Sequence, residues 1–325
     1  MRDSKVASRF AVCALLLTIL PDDGSAQNYP TRPIRFIVPF PPGAATDIVT
    51  RIIGQKMTEN WGVPVLADNR PGATGMIGAD IAAKSAPDGY TLVNVISSQV
   101  VHPSLNRKVP FDPIKDFTPI IMLMRSPNLI CVNPSLPVRS MKELVALARA
   151  NPGKLSFGSP GLGSSNHLTG EMIKAAAKID IIHIPYKGGA PAAIDAIGGQ
   201  IPILIQTVSS AGGYVKAGKL RALAVASIKR HPVFPNVPTL DESGFPGFAT
   251  AEWWVVLGPA AVPKDIVAKL NAEIDRIMNL ADVQAKIAEI GTDYIGGTPE
   301  QAGTYMRAEM EKWSKVVQAA GLRPE

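Results

Sequence analysis

Cysteine is nearly absent from this chain of 325 residues: Cys13 lies in the N-terminal apolar run, and Cys131 is the other. Once the N-terminal segment is removed, a single thiol remains and an internal disulfide is excluded. Histidine is almost as scarce, with four residues and no close ligand spacing, which argues against a structural or catalytic metal. Aromatic residues make up 6% of the chain and the basic residues are scattered, so the net charge of +6 has neither a basic patch nor an aromatic platform behind it. Nucleic acid is therefore not an expected partner. The apolar stretch Phe10 to Leu20 has 11 residues, against roughly 20 for a spanning helix, and no later stretch is long and apolar enough to replace it. No G-x-x-x-x-G-K-S/T occurs, since the Gly-Lys pairs at 153 and 218 are each followed by leucine, so a P-loop is excluded. No repeat of 20 to 50 residues is evident, which excludes a solenoid.

At the N-terminus Arg2, Lys5 and Arg9 precede the apolar run, and PDDGSA follows with Gly24 and Ala26 at cleavage-compatible positions. This pattern predicts a secretory signal peptide over 1–26, cut after Ala26, and a periplasmic mature protein. Cys13 lacks the small residue before it that a lipid-anchored leader would carry. Removing 1–26 takes away three basic and three acidic residues, so the balance stays at +6 and favours anionic ligands by steering. The 46% hydrophobic and 18% charged content is that of a globular protein, long enough for two domains.

Residues 155–171, LSFGSPGLGSSNHLTGE, carry the strongest local signal. A short apolar run ends in Gly158, Pro160, Gly161 and Gly163, and a helical pattern begins at Ser164 with Ser164 or Ser165 as N-cap. Free amides at a helix start, together with the positive end of its dipole, suit an anion; an ordinary capped strand-helix turn fits the same residues. A counterpart lies about 115 residues earlier: the strand 34–40, a Pro/Gly turn and a helix opening near Thr46 and Asp47. Asp47 reads first as an acid favoured by the helix dipole. Strands and helices alternate through most of the chain, with strands expected at 63–67, from Thr91, at 120–124 and at 129–132. Arg125 to Asn128 is expected as a crossover, and the stretch from His102 to Pro119 as irregular, with His102 in a loop. Three helices are expected after the strand containing Trp253 and Trp254. The alternation predicts an α/β fold of mainly parallel sheets with helices on both faces.

Two catalytic patterns are incomplete in this chain. Gly161-x-Gly163-x-x-Asn166 imitates a dinucleotide fingerprint, but its third glycine is missing and a proline bends the approach. Ser159 sits in G-S-P-G rather than in a nucleophile elbow, and no acid marks a triad partner for His167 or His183. No enzyme, cofactor or metal is expected.

Five ordered blocks, VPFPPGAATDIVTR (38–51), DNRPGATGMIG (68–78), FGSPGLGSSNHLTGE (157–171), HIPYKGGAPAAIDAIGGQI (183–201) and GKLRALAVAS (218–227), span the mature chain. In these blocks it resembles the Bug family, the extracytoplasmic solute receptors of tripartite tricarboxylate transporters. The resemblance implies a type II periplasmic-binding-protein fold of Venus-flytrap form, with residues 27–126 and 252–325 as the first lobe and 127–251 as the second. It implies a small organic carboxylate held between the lobes, delivery to the transporter's membrane components, and a monomer. The family's two carboxylate grips map onto Phe40, Gly43, Ala44, Ala45, Thr46 and Asp47 in the first lobe. In the second they map onto Ser159, Gly161, Gly163, Ser164 and His167, with Tyr186, Gly188 and Gly189 beside them. Ser98 and Gln206 complete the candidate ligand-binding set. Two positions depart from the family pattern: Ala44 stands where a second glycine is usual, and Gln206 where an acid is common, which makes ammonium-bearing ligands less favoured. Trp253 and Trp254 leave two readings open, core packing or room for an aromatic carboxylate. A ligand sensor for a signalling partner is the alternative within binding proteins.

Overall fold

The structure is a computed structural model describing residues 28–105 and 108–322, so the expected signal peptide and its cleavage point lie outside the described residues. Short apolar runs closed by glycine or proline form strands, and the amphipathic segments between them form helices. The first part of the chain runs β1 (Ile34–Val38), α1 (Ala45–Trp61), β2 (Val65–Asn69), α2 (Met76–Ala83), β3 (Thr91–Ile96), α3 (Ser98–Leu105), β4 (Phe117–Val132) and α4 (Met141–Ala150). The second part runs β5 (Ser156–Ser159), α5 (Ser165–Ala177), β6 (Ile182–Pro185), α6 (Gly189–Ile197), β7 (Ile203–Thr207), α7 (Val208–Lys216) and β8 (Arg221–Val225). The last part is β9 (Ala251–Pro259), α8 (Lys264–Met278), α9 (Ala281–Glu289), β10 (Asp293–Gly296) and α10 (Pro299–Ala319).

In one sheet β1 lies parallel between β2 and β3, β9 is antiparallel to both β3 and β4, and β10 edges β4. In the other, β5 lies parallel between β6 and β7, and β4 runs antiparallel to β7 and β8. The α/β architecture with two sheets flanked by helices is the expected one. Each sheet is mixed: a parallel trio carries the strand-helix units, and β4 and β9 add the antiparallel pairings.

Alternation of side chains across each sheet divides the core into four apolar layers. Phe36 and Leu92 face Ile53 and Ile274 on one side of the first sheet, while their neighbours Ile37 and Val93 face Trp253 and Trp313 on the other. In the second sheet Ile130 and Ile205 pack with Phe157 and Leu223, while Leu129, Cys131 and Leu204 pack with Ala192 and Ala196. Burial pushes the Cys131 thiol well above its ordinary range, which leaves it an inert core residue.

Three local expectations are corrected. Residues 120–124 and 129–132 are one continuous strand of 16 residues, because Arg125–Asn128 stay extended against β9 and β7. His102 is buried in α3 and is not a loop residue: Val100 and Val101 are fully buried and the helix packs against α10, which outweighs Pro103 within it. A short strand, β10, follows α9, where the sequence pattern suggests only helices. Trp253 and Trp254 are both core residues, on opposite faces of β9. The Trp253 and Trp313 indoles each donate to Glu309 Oε2, at 3.2 and 2.9 Å, and the Trp254 indole donates to Thr46 Oγ1 at 2.9 Å.

Gly170 lets α5 lie on Phe157, since a Cβ there would stand 2.2 Å from the Phe157 ring. Phe157 is fully buried and cannot swing away. Although alanine is the better helix former by about 1 kcal/mol, Gly170→Ala is expected to destabilise the protein by about 1–3 kcal/mol through overpacking. Thermal unfolding measures this; an unchanged or raised melting temperature would contradict the packing.

Candidate functional site

The parallel strands β1 and β3 of the first sheet and β5, β6 and β7 of the second all end in turns that open helices, the usual position of ligand sites in α/β folds. In the first lobe the chain leaves β1 through Pro39–Gly43. Gly43 adopts φ +84°, a left-handed conformation that glycine takes without penalty. Its amide donates to Asp47 Oδ2 at 3.0 Å, while Asp47 Oδ1 accepts from Arg51 Nε at 3.0 Å and Asn69 Nδ2 at 2.9 Å. Asn69 also donates to the Phe40 carbonyl, so one acid and one amide hold the whole turn. Burial alone would raise the Asp47 carboxyl, but the bonds from Arg51, Gly43 and Asn69 together hold it below its ordinary range. Asp47 thus shapes the turn with its own bonds already committed.

Ala44 is the N-cap of α1 at φ −68° and ψ 156°, an extended conformation open to any residue, so the methyl that replaces the usual glycine introduces no strain. It also offers no capping oxygen, and α1 has no side-chain cap. The first-turn amides, beginning at Ala45, therefore keep their donor capacity. The Thr46 side chain is buried and its Oγ1 accepts from the Trp254 indole, which anchors the start of α1 to β9.

The second-lobe turn is built differently. Ser164 caps α5 by accepting from the His167 amide at 3.1 Å, and its hydroxyl donates to the Gly161 carbonyl at 2.8 Å. The Gly163 amide donates to His167 Nδ1 at 3.3 Å, which places the ring proton on Nε2. His167 stacks on His183 with centroids 4.0 Å apart, and His183 Nε2 lies 2.7 Å from Ser159 Oγ. Burial, reinforced by Lys174, lowers His167 to about 4; burial, His167 and Lys174 lower His183 to about 3. Both rings are neutral at pH 7, and Ser159 and His167 are buried beneath the turn as its support. The Ser159–His183 distance is that of a nucleophile and its base, but no acid hydrogen-bonds His183 among the described residues.

The Tyr186 amide donates to the Ser159 carbonyl at 3.1 Å and the Gly188 amide to the Pro160 carbonyl at 2.9 Å, so the β5 and β6 turns form one surface. Gly188, at φ +110°, is the N-cap of α6, which lacks a side-chain cap, and Gly189 is its first residue. Tyr186 is anchored by its hydroxyl, which donates to Asp195 Oδ2 at 2.7 Å. Gln206 is buried behind this surface, its Nε2 donating to the Gly189 carbonyl at 2.5 Å. Leu162, at the tip of the β5 turn, is about half exposed.

The structure gathers the predicted residues into two groups. Phe40 and Ser98 share a small concavity with Thr74, Gly75 and His102, and the Ser98 hydroxyl donates to the Thr74 carbonyl at 2.9 Å. The second group is the joined β5 and β6 turns with Gln206. They meet where Gly163 packs on α3: a Cβ at Gly163 would lie 3.1 Å from Leu105 and 3.7 Å from Val101. Glu252 on β9 joins them from below, accepting from the Ser97 amide at 2.8 Å and the Ser165 hydroxyl at 3.1 Å. On another part of the junction the Ser126 hydroxyl donates to the Gly291 carbonyl and accepts from the Ser209 amide, both at 3.0 Å. Neither Glu252 nor Ser126 carries a motif that singles it out in the sequence; their partners lie up to 165 residues away. No cluster of three or more His, Cys, Asp or Glu suited to a metal, and no helix long and apolar enough to cross a membrane, occurs among the described residues.

The profile of the tripartite tricarboxylate transporter family receptor (TctC) matches residues 49–322, and the chain belongs to that family. It is 36% identical over 301 residues to the protein BugT of Bordetella pertussis, covering 92% of each. It is similar to the structure of R. palustris Rpa4515 with adipate, at 36% identity and a TM-score of 0.85 over 91% of this chain and 100% of that one. It is also similar to MatC from Rhodopseudomonas palustris with bound malate, at 30% identity and a TM-score of 0.79, covering 89% and 100%. The resemblance to the Bug family carried by the five sequence blocks therefore holds. The family is one of solute-binding receptors.

Burial raises the Glu252 carboxyl above its ordinary 4.5, against the opposing bonds from Ser97 and Ser165. A carboxyl raised on folding contributes stability that is fully present below its unfolded value and lost as pH rises through the folded one. The melting temperature of the wild type minus that of Glu252→Gln is accordingly expected to be largest near about pH 4 and to shrink towards about pH 8. A difference that stays constant over that range would show that Glu252 titrates normally.

Proposed function

We propose that the protein is a periplasmic receptor that captures a small organic mono-, di- or aromatic carboxylate between its lobes and delivers it to the membrane components of a tripartite transporter. The observation that carries this reading is that two of the helices opened by parallel strands, α1 at Ala44–Ala45 after β1 and α6 at Gly188–Gly189 after β6, start without a side-chain cap, one in each proposed lobe. Acids bound by neighbours of this fold support it: adipate in Rpa4515 and malate in MatC. Residues 27–126 with 252–325 form the first lobe in this reading, and 127–251 the second; β4 changes sheets between Pro127 and Asn128. The candidate residues then sort by role. Ala45 and Gly189 present backbone donors, Phe40 and Leu162 offer apolar surface, and Asp47, Ser159, His167 and Tyr186, with Gly43 and Gly161 bonded to Asp47 and Ser159, hold the turns in shape.

Two grips are needed on energetic grounds. A hydrogen bond to a charged group contributes roughly 1.5–3 kcal/mol and a helix end about 0.3–2 kcal/mol, while association costs at least about 4 kcal/mol. One carboxylate alone binds weakly; two held together reach the roughly 8 kcal/mol of micromolar affinity.

A thermal-shift panel of acetate, benzoate, malate, adipate and citrate on the refolded mature protein is expected to give one or a few hits, because a ligand bound only by the native state raises its melting temperature. No shift with any of them would overturn the carboxylate reading. Gln206 supplies a second test. Gln206→Asp replaces the donor behind α6 with a negative charge near the Gly189 carbonyl, which neutralises the positive end of the helix dipole and repels an anionic ligand there. It is expected to weaken a dicarboxylate by roughly 10-fold or more and a monocarboxylate less, as read by calorimetry. Equal effects on both would separate Gln206 from the ligand's second charge.

A further inference from the structure

The concavity between Phe40, Thr74, Gly75, Ser98 and His102 contains a group that the turns leave unused. Gln99, the second residue of α3, lines it and is 3% exposed, yet its Nε2 has no hydrogen-bond partner. Buried side-chain amides are ordinarily paired, and an exception in a native fold calls for an explanation. The space beside Gln99 is too narrow for a water molecule in this arrangement, so a partner must enter as lining groups move.

The opposite wall of the concavity is strained. Gly72, Ala73, Thr74 and Gly75 all have positive φ, at 132°, 47°, 53° and 97°. Two are not glycine, and a β-branched threonine in the left-handed region is a true outlier. The Ser98 hydroxyl, bonded to the Thr74 carbonyl, holds that conformation, and the turn brings Gly75 against the Phe40 ring. Strain of this kind persists only where the surroundings impose it, and it concentrates at ligand sites. An unpaired buried donor and a strained turn thus meet at one place, against Pro39 and Phe40 of the turn that leads from β1 to α1.

We propose that Gln99 is a specificity-determining residue of the first lobe, its side-chain amide donating to a carboxylate oxygen of the bound acid when the Phe40 ring moves aside. This rests on the carboxylate reading above. A neutral amide suits the role: it favours an oxygen acceptor while leaving charge complementarity to the helix start, and Gln99→Glu replaces its donors with acceptors.

Gln99→Met keeps the volume and removes the hydrogen bond; Gln99→Glu keeps the shape and reverses the charge preference. Calorimetry with malate, adipate, citrate and benzoate is compared with the melting temperatures of the ligand-free proteins. For the acid that the wild type binds most tightly, Gln99→Met is expected to weaken binding roughly 10- to 100-fold, and Gln99→Glu by more. The ligand-free Gln99→Met protein is expected to melt at the wild-type temperature or above, because it no longer buries an unpaired amide. Unchanged affinity in Gln99→Met overturns the assignment and leaves the carboxylate reading standing. A lowered ligand-free melting temperature also overturns it, since the amide would then have a structural partner. Absence of binding by the wild type overturns both.

Discussion

One strand belongs to both sheets, and the rest of the molecule depends on it. β4 pairs with β9 and β10 along its first part and with β7 and β8 along its last five residues, so the register of each sheet is set against the same backbone. A shift of one residue in β4 would turn apolar side chains to the wrong face in both halves at once. Near the point where its partners change, Ser126 and Asn128 hold the junction: Ser126 bonds Gly291 and Ser209, and Asn128 bonds Thr169, Thr250 and Asn166. These polar residues are buried and fully engaged, which suits a place where two lobes must keep a defined relation.

From this junction the site is assembled in layers. Glu252 reaches from β9 to the turn before α3 and to the first residue of α5, tying one turn from each lobe to a common carboxylate. Above it the histidine pair 167/183 and Ser159 support the second-lobe turn, while Asp47, Arg51 and Asn69 support the first. The side chains with the most distinctive chemistry therefore serve as support, and the surface they present consists largely of backbone amides and apolar groups. That division suits the carboxylate proposed as ligand, which is well served by oriented N–H groups and a helix dipole, without a cation to be desolvated.

Much of this was legible in the residues. The strand-turn-helix units at 34–61 and 155–177 rest on local rules, apolar runs ended by glycine and proline and restarted with helical spacing, and both form as expected. Where distant packing decides, the local rules fail. Pro103 and the other prolines near it suggest an irregular stretch, yet α3 forms because Val100 and Val101 are buried and α10 covers it. Pro119 and Pro127 suggest breaks, yet β4 continues through both because its neighbours supply the ladder. Gln206 departs from the family pattern in the sequence, but that its side chain lies behind α6 and donates to the Gly189 carbonyl is a tertiary fact.

The sequence alone determined the α/β class, the two strand-turn-helix units and the family, because each depends on residue types at short, fixed spacing. The tertiary structure decided which of those residues are spoken for. Thr46, Ser159 and His167 have their side chains committed to Trp254, His183 and Gly163, while the Gln99 amide is left without a partner. Such commitments are set by groups that approach from other parts of the chain, Trp254 across 208 residues and Ser165 to Glu252 across 87. A hydrogen bond forms only within about 3 Å and at a suitable angle, and that geometry exists only once the sheets have closed around β4.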